Sequence, residues 1–139
     1  MLSLDKIRSQ FEGFWTTSRL GVPVEYENVS DTDELSEAKR RIDIWARMTI
    51  REGETNQASI GDNPLNRTVG IIFLSYFTKR DSGTAALRKL HDVAAAAIIA
   101  QPNLDGIWMR RPSFTINGIE ENIIQATSSI PFQADQYSR

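Results

Sequence analysis

The run Thr68–Thr78 is apolar on both sides of an extended chain, and that sets the architecture. Val69, Ile71, Phe73 and Phe77 fall on one side and Ile72, Leu74 and Tyr76 on the other, because successive side chains of a strand alternate. Such a strand is central to its sheet, or carries an outer face that meets another subunit. The run Ile42–Arg51 alternates instead: Ile42, Ile44, Ala46, Met48 and Ile50 point one way, and Asp43, Trp45, Arg47, Thr49 and Arg51 the other. One apolar and one polar face favour antiparallel pairing.

Helical spacing brackets these strands. Leu4, Ile7, Phe11, Phe14 and Trp15 form an apolar stripe with Lys6, Arg8, Ser9 and Glu12 between them. This predicts one amphipathic helix over 4–18, with Ser3 as its N-cap and Gly21 and Pro23 ending it. Val24–Asn28 alternates as a short strand, and the polar stretch Asp31–Lys39 reads as a loop with at most one helical turn. After the turn Arg80-Asp81-Ser82-Gly83, a second helix is expected over 84–100, with Leu87, Leu90, Val93, Ala94, Ala97 and Ile98 facing inward. Ile107–Ile116 reads as a strand that Pro112 forces to bulge or lie at an edge. Asn117-Gly118 is a strong hairpin signal, with Ile119–Phe132 pairing back across it. The expectation is a single α+β domain spanning 1–139, in the order α-β-β-β-α-β-β: a mostly antiparallel sheet with two helices packed on one face.

Between the first two long strands, residues 52–66 hold Gly53, Asn56, Gly61, Asp62, Asn63 and Pro64. Turn formers at that density predict a long loop or an extended hairpin arm. Connections of this length inside a small domain are usually functional or disordered.

Composition removes several chemistries. The chain has 139 residues and no cysteine, so disulfides, thiolate ligands and thiol nucleophiles are absent together. Its formal charge of −2 argues against a protein built to grip phosphates. The first five residues lack the charged-then-apolar order of a secretory signal. The longest apolar run, Val93–Ala100, is far below the roughly 20 residues that span a bilayer. A soluble protein with no membrane association is expected.

No catalytic, metal or cofactor site emerges. The single histidine, His91, sits beside Asp92 on a helix, where adjacent residues point about 100° apart and form no dyad; it reads as a partly exposed helix residue. Asp31-Thr32-Asp33 opens like a calcium loop, but Ser36 stands at the turn glycine and Ile42 at the closing glutamate. No glycine-rich loop suits a nucleotide, and Ser75 and Ser82 lack a nucleophile-elbow context. The doublets Arg40-Arg41 and Arg110-Arg111, with Trp45 and Trp108 nearby, are the only pattern that suits single-stranded nucleic acid. They read more simply as rim residues of a protein interface. Arg47 and Trp45 share the outer side of their strand and belong to types enriched at interfaces. The physics alone describes a self-associating or partner-binding module.

Three blocks then carry a resemblance. Ile50-Arg51-Glu52-Gly53-Glu54-Thr55-Asn56-Gln57-Ala58-Ser59-Ile60-Gly61 is followed by Pro64 and Arg67-Thr68-Val69-Gly70. Phe77 and Gly83-Thr84-Ala85-Ala86-Leu87 come next, then Ser129-Ile130-Pro131-Phe132-Gln133-Ala134-Asp135. In this order, over nearly the whole chain, they resemble the tail terminator-like (tail completion) proteins of long-tailed bacteriophages. The chain departs from that pattern at Thr78-Lys79-Arg80, where a proline-containing strand exit is usual, and at Ile123-Ile124, where an aromatic pair is common.

The resemblance implies a non-enzymatic virion protein with an α+β fold and no cofactor. It would form a homo-oligomeric ring, typically a hexamer, at the tail end nearest the head. That ring would halt polymerisation of the major tail tube protein and join the head-completion or connector protein. Assembly would take place in the host cytoplasm, and DNA would pass through the lumen without specific binding. Trp45, Arg47, Arg51, Asn56, Gln57, Arg67, Arg110 and Arg111 are the interface candidates. The alternatives are another neck or head–tail connector protein or, further away, a small-molecule enzyme, which needs a pocket of converging polar groups.

Overall fold

The computed structural model describes residues 4–137, so the expected Ser3 cap lies outside them. The chain forms helix α1 (Leu4–Phe14), helix α2 (Thr17–Leu20), strand β1 (Val24–Glu25) and helix α3 (Asp33–Arg41). Strands β2 (Trp45–Gln57) and β3 (Leu65–Lys79) follow, then helix α4 (Ala85–Ala100). Strands β4 (Asn103–Leu104), β5 (Ile107–Met109), β6 (Ser113–Glu120) and β7 (Ile123–Tyr137) complete it. The fold is α+β, with a curled sheet in the order β1-β2-β3-β7-β5-β4 and β6 paired with β7. Pairing is antiparallel throughout except for β1, which runs parallel to β2.

The main core lies on one face of this sheet. Ile7, Phe11 and Phe14 of α1 and Leu87, Leu90, Ala94 and Ile98 of α4 pack with Ala46, Met48, Ile72, Leu74 and Tyr76. Phe132 from β7 meets Phe11 edge to face, with centroids 4.9 Å apart. Gly70 makes room for that ring: a Cβ there would come within 2.6 Å of Phe132 Cζ and 2.5 Å of the Arg51 carbonyl. The alternation expected for 42–51 places its core side correctly, with Ala46 and Met48 buried and Ile44 and Ile50 packed against them.

Several local expectations are corrected. The first helix is broken: Thr16 is extended at φ −104° and caps α2 by accepting from Arg19 N, and Gly21 closes it in the left-handed region. The polar segment after Asp31 is a full helix. Thr32 caps it by accepting from Leu35 N, Asp33 and Glu34 sit in its first turn, and Lys39, Arg40 and Arg41 in its last, which complements the helix dipole at both ends. Helix α3 lies on the face opposite the main core, where Leu35 and Ala38 cover Trp45, Phe77 and Ile123. There are thus four helices among the described residues, not two on one face, and Ile42 is the left-handed C-cap of α3 at φ 55°, not the first strand residue.

Pro112 separates β5 from β6, as its missing N–H requires. Asn117-Gly118 is not the hairpin turn. It is a bulge within β6, marked by the register shift between Ile116 and Gly118 and by Gly118 at φ 130°. Asn117 Oδ1 accepts from Thr127 Oγ1 at 2.6 Å. The chain reverses instead around Glu121, at φ 54°, so β7 starts at Ile123 and runs past Phe132 to Tyr137. Val93, expected on the inner stripe of α4, is exposed.

Candidate interaction surface

The second face of the sheet is where covered and bare surface meet. Register places Trp45, Arg47, Thr49 and Arg51 of β2 opposite Phe77, Ser75, Phe73 and Ile71 of β3. Across β3, Ile71 faces Pro131 and Val69 faces Gln133, and Trp108 of β5 faces Gln133 from the far side. Paired residues share a face, so one continuous surface runs from Trp45 to Trp108.

At one end this surface is closed. Trp45 and Phe77 stack at 5.1 Å and 14° beneath α3. The Trp45 indole Nε1 is buried without a hydrogen-bond partner among the described residues. Lys39 Nζ lies 2.5 Å from Glu25 Oε1 and 2.8 Å from Asp31 Oδ2. Arg47 pairs with the other Glu25 oxygen and sits 5.0 Å above the Phe77 ring. Burial pushes the Glu25 carboxyl up, but the hydrogen bonds from Lys39 and Arg47 outweigh it and hold the group below the ordinary carboxylate range. Beside this end opens a cleft of about 550 Å³ between Trp45, Arg47 and Phe77 on one wall and Asn117–Glu121, Ile123 and Gln125 on the other.

At the other end nothing in the described chain covers the sheet. Trp108 is 48% exposed, Val69 43% and Ile71 36%, and Pro131 is exposed beside them. Arg110 continues the β5 register, donating its N–H to the Pro131 carbonyl at 2.9 Å. Arg51, Arg110 and Arg111 are exposed and enter no ion pair seen among the described residues.

From this bare end the arm projects. It is a formed hairpin rather than a loose loop: β2 and β3 stay paired to Gln57 and Asn66 beyond a bulge between Glu52 and Thr55. Its β3 strand is braced on the other side along its whole length, because β7 pairs with β3 as far as Leu65–Tyr137. Thr55 and Thr68 hydroxyls lie 2.8 Å apart, and Leu65 N donates to Ser59 Oγ at 2.6 Å to close the loop. Arg67 forks onto Asp135 at 2.8 and 3.2 Å, which lowers the Asp135 carboxyl and raises the Arg67 guanidinium. Asn56 and Gln57 are exposed, Gln57 donating to the Ser59 carbonyl at 2.9 Å. At the tip Ile60 is 98% exposed.

The sequence candidates therefore divide. Arg51, Asn56 and Gln57 lie along the arm and its root, and Arg110 and Arg111 flank the bare end. Arg47 and Arg67 are engaged in internal ion pairs. Trp45 is covered by α3 and so lies outside the exposed surface, although its side chain does sit on the outer side of β2. The apolar members, Ile60, Val69, Ile71 and Trp108, are the ones a search for charged and polar contact residues passes over.

His91 is a partly exposed residue of α4, as expected, and it is tethered. Its Nδ1 lies 2.7 Å from Ser128 Oγ, which lies 2.8 Å from the Tyr76 hydroxyl, and its ring packs at 5.2 Å on Phe114. Ser128 and Tyr76 are fully buried, and burial pushes the Tyr76 phenol up to about 12. The arrangement ties α4 to the sheet. Among the described residues no group of three His, Cys, Asp or Glu side chains is placed to hold a metal ion. None of their helices is long and apolar enough to cross a membrane.

No family model matches the chain, and no curated protein matches it. A solved structure is similar over 100% of both chains, with a TM-score of 0.68 and 17% identity. At that identity the likeness establishes the fold alone.

Proposed function

We propose that this protein is a phage tail terminator, a ring-forming virion protein that closes the tail tube and presents a surface to the head-side connector. One observation carries the reading. Two of the three blocks that resemble the terminator-like family, the first and the last, come together in space although they are far apart in sequence, while Phe77 of the middle block lies at the α3 end of the sheet. Ile50–Gly61 forms the end of β2 and the arm, Arg67–Gly70 returns beside it on β3, and Pro131–Asp135 pairs with Arg67–Ile71 from β7. They converge on the arm and the bare end of the sheet, the region a ring would use for contacts.

In this reading the subunits join head to tail. A heterologous contact of this kind closes into a ring only when the rotation between copies divides the circle. Two surfaces supply it: the outer face around Val69, Ile71 and Trp108, and the edge of β6, which among the described residues pairs with β7 alone. The arm, already a hairpin, loses less conformational entropy on docking than a disordered loop would. A formal charge of −2 suits a lumen that lets the genome slide, since a strongly basic one would hold phosphates. The major tail tube protein and the connector are the remaining partners, and the virion neck is the location.

Size-exclusion chromatography with light scattering, together with negative-stain images, tests the reading. Closed rings are expected, and a strict monomer even after mixing with tube protein overturns it. Labelling of the virion neck separates a terminator from another neck or connector protein, which would use the same surfaces at a different level.

A further inference from the structure

The arm and the bare face are complementary to each other. Residues 52–64 hold Glu52, Glu54 and Asp62 and no lysine or arginine, and none of these acids enters an ion pair seen among the described residues. The tip adds Ile60, an isoleucine standing in solvent. The face offers the converse: exposed Trp108, Val69 and Ile71, bordered by Arg51 across from Ile71 and by Arg110 across from Pro131. Exposed tryptophan and arginine side by side are the residue types that dominate binding energy at interfaces, and complementary charge steers and registers such contacts.

The arm does not reach the face of its own copy. β2 and β3 run without a break in pairing from the sheet body into the arm apart from the bulge at Glu52–Thr55, and β7 braces them to Leu65. Gly53 packs so closely on Val69 that a Cβ would meet its carbonyl oxygen at 2.9 Å. The arm is thus continuous with the sheet and points away along its strands. The paired strands continue from Val69 to Leu65, about 13 Å at about 3.3 Å per residue, and the tip loop 58–64 projects past them.

We infer that the Val69–Ile71–Trp108 face, with Arg51 and Arg110, receives the arm tip of a second copy of this chain, Ile60 entering the apolar patch and Asp62 beside it meeting the arginines. This rests on the self-assembly proposed above and names the surfaces that perform it.

The absence of native cysteine gives a direct test on the full chain. Ile60→Cys and Trp108→Cys proteins, mixed and mildly oxidised, should give a disulfide-linked dimer that neither forms as efficiently alone. Charge reversal provides the second arm. Asp62→Lys and Arg51→Glu/Arg110→Glu should each weaken self-association at least tenfold at unchanged melting temperature. An equimolar mixture should recover it, because each altered arm then meets an altered face.

Assembly of both variants at wild-type affinity, with no mixed crosslink, overturns the inference while leaving a ring intact. A closed dimer that depends on both surfaces supports the inference and overturns the ring. A wild-type monomer throughout the micromolar to millimolar range overturns both.

Discussion

The two ends of the outer sheet face share strands β2 and β3, and they differ most in their cover. At the α3 end Trp45 and Phe77 are roofed by Leu35 and Ala38, and an ion-pair cluster of Lys39, Glu25, Asp31 and Arg47 closes the margin. At the arm end Val69, Ile71 and Trp108 are comparably apolar and have no roof in the described chain. Burial of such side chains is worth about 1.5–3 kcal/mol each. One end has realised that gain in folding; the other keeps about half of it for association. The same sheet face thus does stability at one end and recognition at the other.

The comparison is broken most severely by Trp45→Ala. It removes a buried ring and should cost about 3–5 kcal/mol, a fall in Tm of roughly 10–20 °C for a chain of this size, read by thermal denaturation. Gly70→Ala comes next: the new methyl forces Phe132 or the Arg51 carbonyl to move. Over-packing of this kind costs about 1–3 kcal/mol, and Phe132→Leu in the same chain should return part of it by vacating the space.

Acidification should act on the roofed end and the arm root through Glu25 and Asp135. Both carboxyls titrate below their ordinary values in the fold. Their ion pairs therefore contribute above the unfolded carboxylate range near pH 4 and are lost as pH falls through the lower folded values. Glu25→Gln should flatten the acid limb of a stability–pH profile, by about 1 kcal/mol or less for a pair open to solvent at its Arg47 side. An acid limb identical to wild type would mean that the pairs add nothing. The smallest effect on folding is expected at the arm beyond the bare end, where Ile60→Ser, at a side chain 98% exposed, should move stability within about 0.5 kcal/mol while weakening self-association more than tenfold. A large drop in Tm for the isolated subunit would show that the arm tip is part of the fold's own support.

Long-range pattern was legible in the residues, and local irregularity was not. The two-sided run Thr68–Thr78 does lie centrally, and the alternation from Ala46 to Ile50 does put its even positions on the core, because period two is imposed by the pleat itself. Helix α3 was hidden because only Leu35 and Ala38 face inward, too few to register as a stripe; its caps and end charges were the readable signal. Asn117-Gly118 misled because a glycine at positive φ serves a bulge as well as a turn, and only the pairing register decides between them. The link between His91 and Ser128 spans 37 positions and leaves no local trace. Among the surface residues, Arg51, Asn56 and Gln57 were visible as polar arm positions. Exposure of Val69, Ile71 and Trp108 depends on where α3 stops, which no local pattern encodes.

Strand β7 has a mechanical consequence. Its 15 residues make a beam about 50 Å long, at about 3.3 Å per residue, fastened to β3 along its whole length and to β6 and β5 on its other edge. Antiparallel hydrogen bonds stand perpendicular to the strands, so tension applied along the arm strains this lattice in shear, many bonds at once, instead of peeling them one by one. A hook attached to such a beam transmits load into the body of the subunit without unravelling at its root.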